Sequence, residues 1–406
     1  MKKFNLFLTL LVSVMLIFQT GCKDDEKDDD PIVDPGSSTT ELLVKKFSAA
    51  PSLDAEIDAM WADCQVLEGA AEVPDLAARG TFLNSDGEGV EEGLGLFEPF
   101  TGESYEYTLK SGYFGDNIYF LMEWDDADDS KDRQSWYFDG TDKLWKQQHK
   151  YANDVNDKYY EDKFAFLFPI NTVAGFSSTT CFATCHSNLT IAKDKDKHTR
   201  HYTKNDGEKI DMWHWKRVRG EYIGQVDDQK MVYADPALQS SANGRKGDAN
   251  GSGGYANNKQ TLNNGTADVS VPKYIIPGAT NYYWITQDDV DDGTAKLITA
   301  VDAEGVLTYE GGSVDPGNGG FEDGTGNMRL PSVVISEFTG ARGDISVKAK
   351  YTGTGWITEF TRKMNTGDPD DVVFDINTDL DFGLAIFNNA AIAHGIKPNL
   401  KMTYEK

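Results

Sequence analysis

The strongest constraint on this chain is a period-two alternation of apolar and polar residues, which lines one face of a strand but scatters around a helix. Tyr105-Glu106-Tyr107-Thr108-Leu109-Lys110 carries it and, after turn residues at Ser111-Gly112 and Asp116-Asn117, a second strand reads from Ile118 to Trp124. It returns at Ser332–Ser336, Asp344–Tyr351, Gly355–Arg362 and Asp381–Phe387, with a turn at Gly353-Thr354-Gly355. Eighteen Tyr, 21 Phe and 39 Gly against 13 Pro favour short strands and many turns over long helices. The expected fold is all-β: an antiparallel, immunoglobulin-like β-sandwich with long loop insertions and a few short helices.

Other segments place the core. Phe164 to Ile170 is a nearly continuous apolar strand. Lys209–Lys216 puts Trp213 and Trp215 on one face and Met212 and His214 on the other, so one face must be buried. Leu53, Ile57, Met60, Trp61 and Cys64 recur at helical spacing and predict a short amphipathic helix over 53–67, with Cys64 as a small buried hydrophobe. Residues 219–330, rich in Gly, Asn and Asp, read as a long insertion with little core potential. Its glycine cluster at 244–254 lacks the Lys-Ser/Thr ending of a phosphate loop.

The N-terminus reads as an address. Lys2 and Lys3 precede an apolar run from Leu6 to Phe18, long enough for a signal-peptide core and short for a membrane span. It ends at Gly21-Cys22, a small residue before Cys as in a lipoprotein cleavage site, so residues 1–21 are expected to be removed and Cys22 lipidated. An ordinary secretory signal is the alternative. The acidic run from Lys23 to Asp30 and the Pro, Gly, Ser and Thr that follow to Thr40 make a solvated tether over residues 22–40, ahead of a folded region at 41–406. The expected location is the outer membrane, facing the periplasm or the cell surface, with the membrane engaged through the lipid.

Four cysteines occur, Cys22, Cys64, Cys181 and Cys185, and with Cys22 lipidated the other three cannot all pair. Cys181-Phe182-Ala183-Thr184-Cys185-His186 has C-x3-C-H spacing, one residue longer than the common c-type haem attachment motif. In that motif two thiols add to the haem vinyl groups and the adjacent His supplies the proximal iron ligand. Four readings stand on spacing alone: covalent haem, a Cys181–Cys185 disulfide, a zinc site that includes His186, or two structural thiols.

The order of several blocks resembles the haem-binding domain shared by the gamma subunit of ethylbenzene dehydrogenase and related c-type cytochromes. The blocks are Ile118–Asp125, the Cys181–His186 loop, Asp211–Lys216, Arg342-Gly343-Asp344, Gly355–Phe360, Arg362, Thr366-Gly367-Asp368, Asp371-Val372, Phe374 and Phe382–Phe387, with His394 beyond. The resemblance implies a β-sandwich that holds one haem and passes single electrons. It makes His186 the proximal iron ligand and Cys181 and Cys185 the thioether anchors of haem c, with non-covalent haem b as the alternative cofactor. Non-covalent members hold iron through a Met and a Lys. By position Met122 matches that Met, and His394 and His214 are the other candidates for the distal ligand.

A formal charge of −27 excludes a nucleic-acid partner held by a basic surface and suits docking to a basic redox protein. No Ser-His-Asp or metal-hydrolase spacing is present, so an electron carrier is expected rather than an enzyme, as a possible subunit or partner of an oxidoreductase. A surface β-sandwich module that binds glycan or protein, with a Cys181–Cys185 disulfide, is the reading from a different class.

Overall fold

A computed structural model describes residues 35–73, 100–148, 159–184, 201–234, 244–321 and 328–406. The leader, the lipidation residue Cys22 and the acidic run fall outside them, as do Cys185 and His186. Among the described residues no helix is long and apolar enough to cross a membrane.

Thirteen strands form one large sheet, numbered here along the chain: β1 Ser37–Ser38, β2 Glu41–Lys46, β3 Val66–Glu72, β4 Ser104–Phe114, β5 Asn117–Asp125, β6 Lys163–Pro169, β7 Lys209–Lys216, β8 Asp227–Val232, β9 Arg245–Gly247, β10 Ser346–Tyr351, β11 Gly355–Lys363, β12 Leu380–Phe387 and β13 Gly395–Tyr404. Their order is β9-β8-β7-β6-β12-β13-β2-β4-β5-β11-β10, with β3 pairing β1, β4 and β13. The sheet folds over on itself. Phe120 of β5 meets Phe166 of β6 at 5.4 Å between ring centroids, and Trp124 meets Trp215 of β7 at 5.8 Å. The core is therefore a slab of aromatic rings between two halves of one sheet. Where the halves come round, Val226 N donates to Ile345 O (3.1 Å) and Val347 N to Gly224 O (3.0 Å).

The β-rich class is as the alternation predicts, but the sheet is mixed. Strand β2 runs parallel to both neighbours, β4 and β13. A period of two fixes which residues face inward and carries no information on strand direction. The helix expected over 53–67 shrinks to one 3-10 turn at Ala59–Asp63, followed by β3. Ala55 sits at φ +60, and the Asp54 and Ala55 amides donate to the Glu359 carboxylate at 3.0 and 2.8 Å. A long-range contact thus replaces local helical bonds. Cys64 is fully buried as expected, and burial pushes its thiol up to about 11.

Residues 227–232 and 245–247, inside the expected insertion, extend the main sheet. The rest folds around its own core, in which Trp136, Phe138 and Trp145 from an earlier hairpin pack with Val271, Ile275, Ile298, Leu307 and Phe321. Its strands are short and its apolar partners come from a distant hairpin, so local pattern does not reveal this core.

Strand β4 also runs straight through Ser111-Gly112. Gly112 is there because Phe47 lies against it: a Cβ would sit 2.2 Å from the Phe47 ring. Gly112→Ala should lower stability by about 1–3 kcal/mol through overpacking. An unchanged urea midpoint would show that Phe47 is free to move.

Candidate functional site

Strands β6, β7, β8 and β12 are buried on both faces, and the chemistry collects on the face turned away from the aromatic slab. Alternation along β7 sends Trp213 and Trp215 into the slab and Met212 and His214 to this outer face, as the sequence predicts. His214 is in register with Ala165 of β6 and Asp227 of β8, and Ala165 with Ala385 of β12. The two alanines put only methyl groups beside the imidazole, in a packed cluster with Phe176 and Phe387.

The segment that carries Cys181 lies against this face. A short helix, α1 (Phe176–Thr179), leads into a 3-10 turn at Thr180–Ala183, with Phe176 packed among Leu167, Met212, Ala385 and Phe387. Thr180 presses on Gly383, where a Cβ would lie 2.5 Å from the Thr180 methyl, and its hydroxyl accepts from Asn399 N at 2.7 Å. The Cys181 backbone is thereby held against this face of the sheet. Cys185 and His186 follow directly in the chain, outside the described residues.

Phe387 lies between two histidines. Its ring centroid is 4.4 Å from His394 and 5.7 Å from His214. The two imidazoles differ in tautomer. His394 Nδ1 lies 2.6 Å from the Ile392 carbonyl, which can only accept, so Nδ1 carries the proton and Nε2 the lone pair. His214 Nδ1 lies 2.6 Å from Arg245 Nη2, which can only donate, so the proton is on His214 Nε2. That Nε2 is buried and has no hydrogen-bond partner. Burial and neighbouring cations keep both rings neutral: His214 is driven well below its ordinary value, and His394 down to about 4.

Basic side chains crowd the same region. Lys163, Lys216, Arg219 and Arg133 are buried and Arg245 is half-buried. Among the described residues two buried carboxylates pair with them. Glu161 holds Arg219 (2.6 Å) and Arg133 (3.5 Å), and Asp227 holds Lys216 while also receiving Arg342 (2.6 Å). Lys163 donates to Ala391 O at 3.0 Å and lies 4.1 Å from the Phe387 ring centre. Burial lowers Lys216 to about 8 and takes Lys163 well below its usual value. In a chain of net charge −27 this is a local excess of buried cations. Sequence reasoning passed over it because its members are scattered over more than a hundred residues.

Met122 lies elsewhere. It is fully buried in the aromatic slab, paired in register with Leu109 and Thr358, whereas His214 and His394 line the opposite side of the sheet. The thioethers on the histidine side are those of Met212 and Met231. Seven of the eight Trp are buried, which leaves Trp284 beside exposed Tyr222 as the aromatic surface a glycan-binding module would use.

A second cluster stands at the end of the sandwich. Arg362 Nη1 donates to Asp211 Oδ2 (2.9 Å) and Asp228 Oδ2 (3.2 Å), with Asp371 Oδ1 at 3.6 Å, all fully buried. Asp248 and Asp344 adjoin them. Arg342-Gly343-Asp344, Arg362 and Asp371-Val372, distant blocks in the sequence, converge here or beside it.

A search of curated proteins finds no match to this chain. The family model for ethylbenzene dehydrogenase matches residues 96–397, a span that takes in both clusters. By that match the chain belongs to the ethylbenzene dehydrogenase family, as a domain of the gamma-subunit type associated with oxidoreductase complexes.

Proposed function

We propose that this chain is an electron carrier that holds one haem c on the outer face of β6, β7 and β12, anchored through Cys181 and Cys185. His186 is the proximal ligand and His394 the distal one. The observation that carries the reading is the pair of fixed tautomers. His394, with its Nδ1 proton on a backbone carbonyl, has the arrangement of a metal-ligating imidazole. His214 has the opposite one, and its buried Nε2–H lacks an acceptor. A haem propionate would supply such an acceptor, and Lys163, Lys216, Arg219 and Arg245 would face the propionates' charge. Ala165, Ala385, Phe176 and Phe387 make the surroundings apolar and would keep water from the group. When bound, the haem supplies a one-electron couple whose potential is set by its axial pair and by burial.

The acidic surface suits a basic redox partner, and lipidation at Cys22 would keep the carrier at the outer membrane. The test is a reduced-minus-oxidised spectrum of protein matured with c-type assembly machinery, then acid-acetone extraction. Colour retained by the polypeptide, and lost from it in Cys181→Ser/Cys185→Ser, is the expected result. Haem that extracts from the unaltered chain would leave haem b as the cofactor. A colourless protein would end the electron-carrier reading.

A further inference from the structure

The acidic cluster around Arg362 cannot be explained by Arg362 alone. Four carboxylates, those of Asp211, Asp228, Asp344 and Asp371, share this one guanidinium, and a fifth, Asp248, stands beside Asp211 and Asp371. Other nearby cations are engaged elsewhere: Lys230 and Lys209 pair with Asp370, and Arg342 with Asp227. Arg362 satisfies one oxygen each of Asp211 and Asp228, and the Thr366 hydroxyl satisfies one of Asp371. The remaining oxygens, Oδ1 of Asp211, Asp228, Asp344 and Asp371 and both of Asp248, are buried with no hydrogen-bond partner. Asp248 is 3% exposed, and among the described residues no donor reaches either of its oxygens.

We propose that these unpartnered oxygens bind one divalent cation of the calcium class. One oxygen each from Asp211, Asp228 and Asp371 lies within 4.8 Å of the others, the separation expected around an ion with metal–oxygen distances of about 2.3–2.6 Å. The donors are all hard oxygens. Calcium accepts six to eight of them in irregular geometry, whereas magnesium dehydrates reluctantly and demands a near-ideal octahedron. The three grouped carboxylates come from β7, β8 and the loop after β11, with Asp248 and Asp344 beside them. The ion would therefore fasten the end of the sandwich where the two halves of the sheet meet.

The test uses the full chain as isolated, stripped with chelator and titrated with calcium by calorimetry, with melting curves in calcium and in chelator. One ion per chain and a higher Tm in calcium are expected. Asp248→Asn, which spares every Arg362 bond, should keep the folded circular dichroism spectrum and weaken calcium binding by on the order of tenfold or more. Asp344→Asn should weaken it less. If calcium neither binds nor moves the Tm, and Asp248→Asn is as stable as the parent in both buffers, the carboxylates share protons and the proposal is wrong. A response to magnesium alone would overturn the calcium assignment.

Discussion

Arg362→Met in chelator at pH 8 should lose about 3–5 kcal/mol of stability, enough to leave much of the population unfolded. The methionine keeps an apolar stem against Trp213 and Phe374, whose ring centres lie 4.8 and 5.5 Å from the guanidinium carbon. The loss is therefore that of the charge, which leaves Asp211, Asp228 and Asp371 buried together with no cation. The sign of the pH dependence follows. Asp248 and Asp344 have folded values raised above the unfolded carboxylate value, so they favour the folded state fully at low pH and lose that effect as pH rises through about 7 to 9. The defect should thus be smaller at pH 5 than at pH 8. Urea unfolding at the two pH values decides it, and equal losses at both would mean that the carboxylates do not respond to Arg362 as a group.

His394→Ala in the haem-loaded protein should convert a low-spin, six-coordinate spectrum into a high-spin one that binds carbon monoxide. His394→Met should restore low spin at a higher reduction potential, because a thioether favours the reduced iron. His214→Ala should leave the spin state unchanged, since Arg245 keeps the lone pair of that ring on Nδ1. If His214→Ala, rather than His394→Ala, gives the high-spin product, the two histidines have exchanged roles. Unchanged spectra in both would move the distal ligand to another side chain, with Met212 and Met231 the thioethers on that face.

How far sequence alone leads depends on the range of the interactions involved. The faces of Trp213, Trp215, Met212 and His214 were legible because a strand's side chains alternate whatever surrounds it. Cys64 read correctly as a buried small residue. The helix at 53–67 did not form, because Glu359, three hundred residues away, captures the Asp54 and Ala55 amides. The direction of β2 was invisible for a different reason: its partners lie near the other end of the folded region or across an intervening segment. The candidate site was legible in part. His214 and His394 stood out as residue types, but their tautomers depend on Arg245 and on the Ile392 carbonyl, which only the fold supplies. The basic cluster gave no local signal. The acidic cluster lay within the blocks Arg342-Gly343-Asp344 and Asp371-Val372, yet nothing in their spacing announces that they meet Asp211 and Asp228.

Strand β2 lies between β4 and β13, with Glu41 opposite Lys401 and Val44 opposite both Tyr404 and Ser111. Its pairing with β13 therefore waits until about 350 residues of intervening chain have been synthesised, a long loop closure that slows folding. Order of synthesis and order of assembly are opposed: β2 leaves the ribosome long before β13, yet must wait for it to gain both its neighbours. Until then β2 is an open template for pairing with another chain, and its flanking lysines, Lys45 and Lys46, are the kind of charges that discourage such a match.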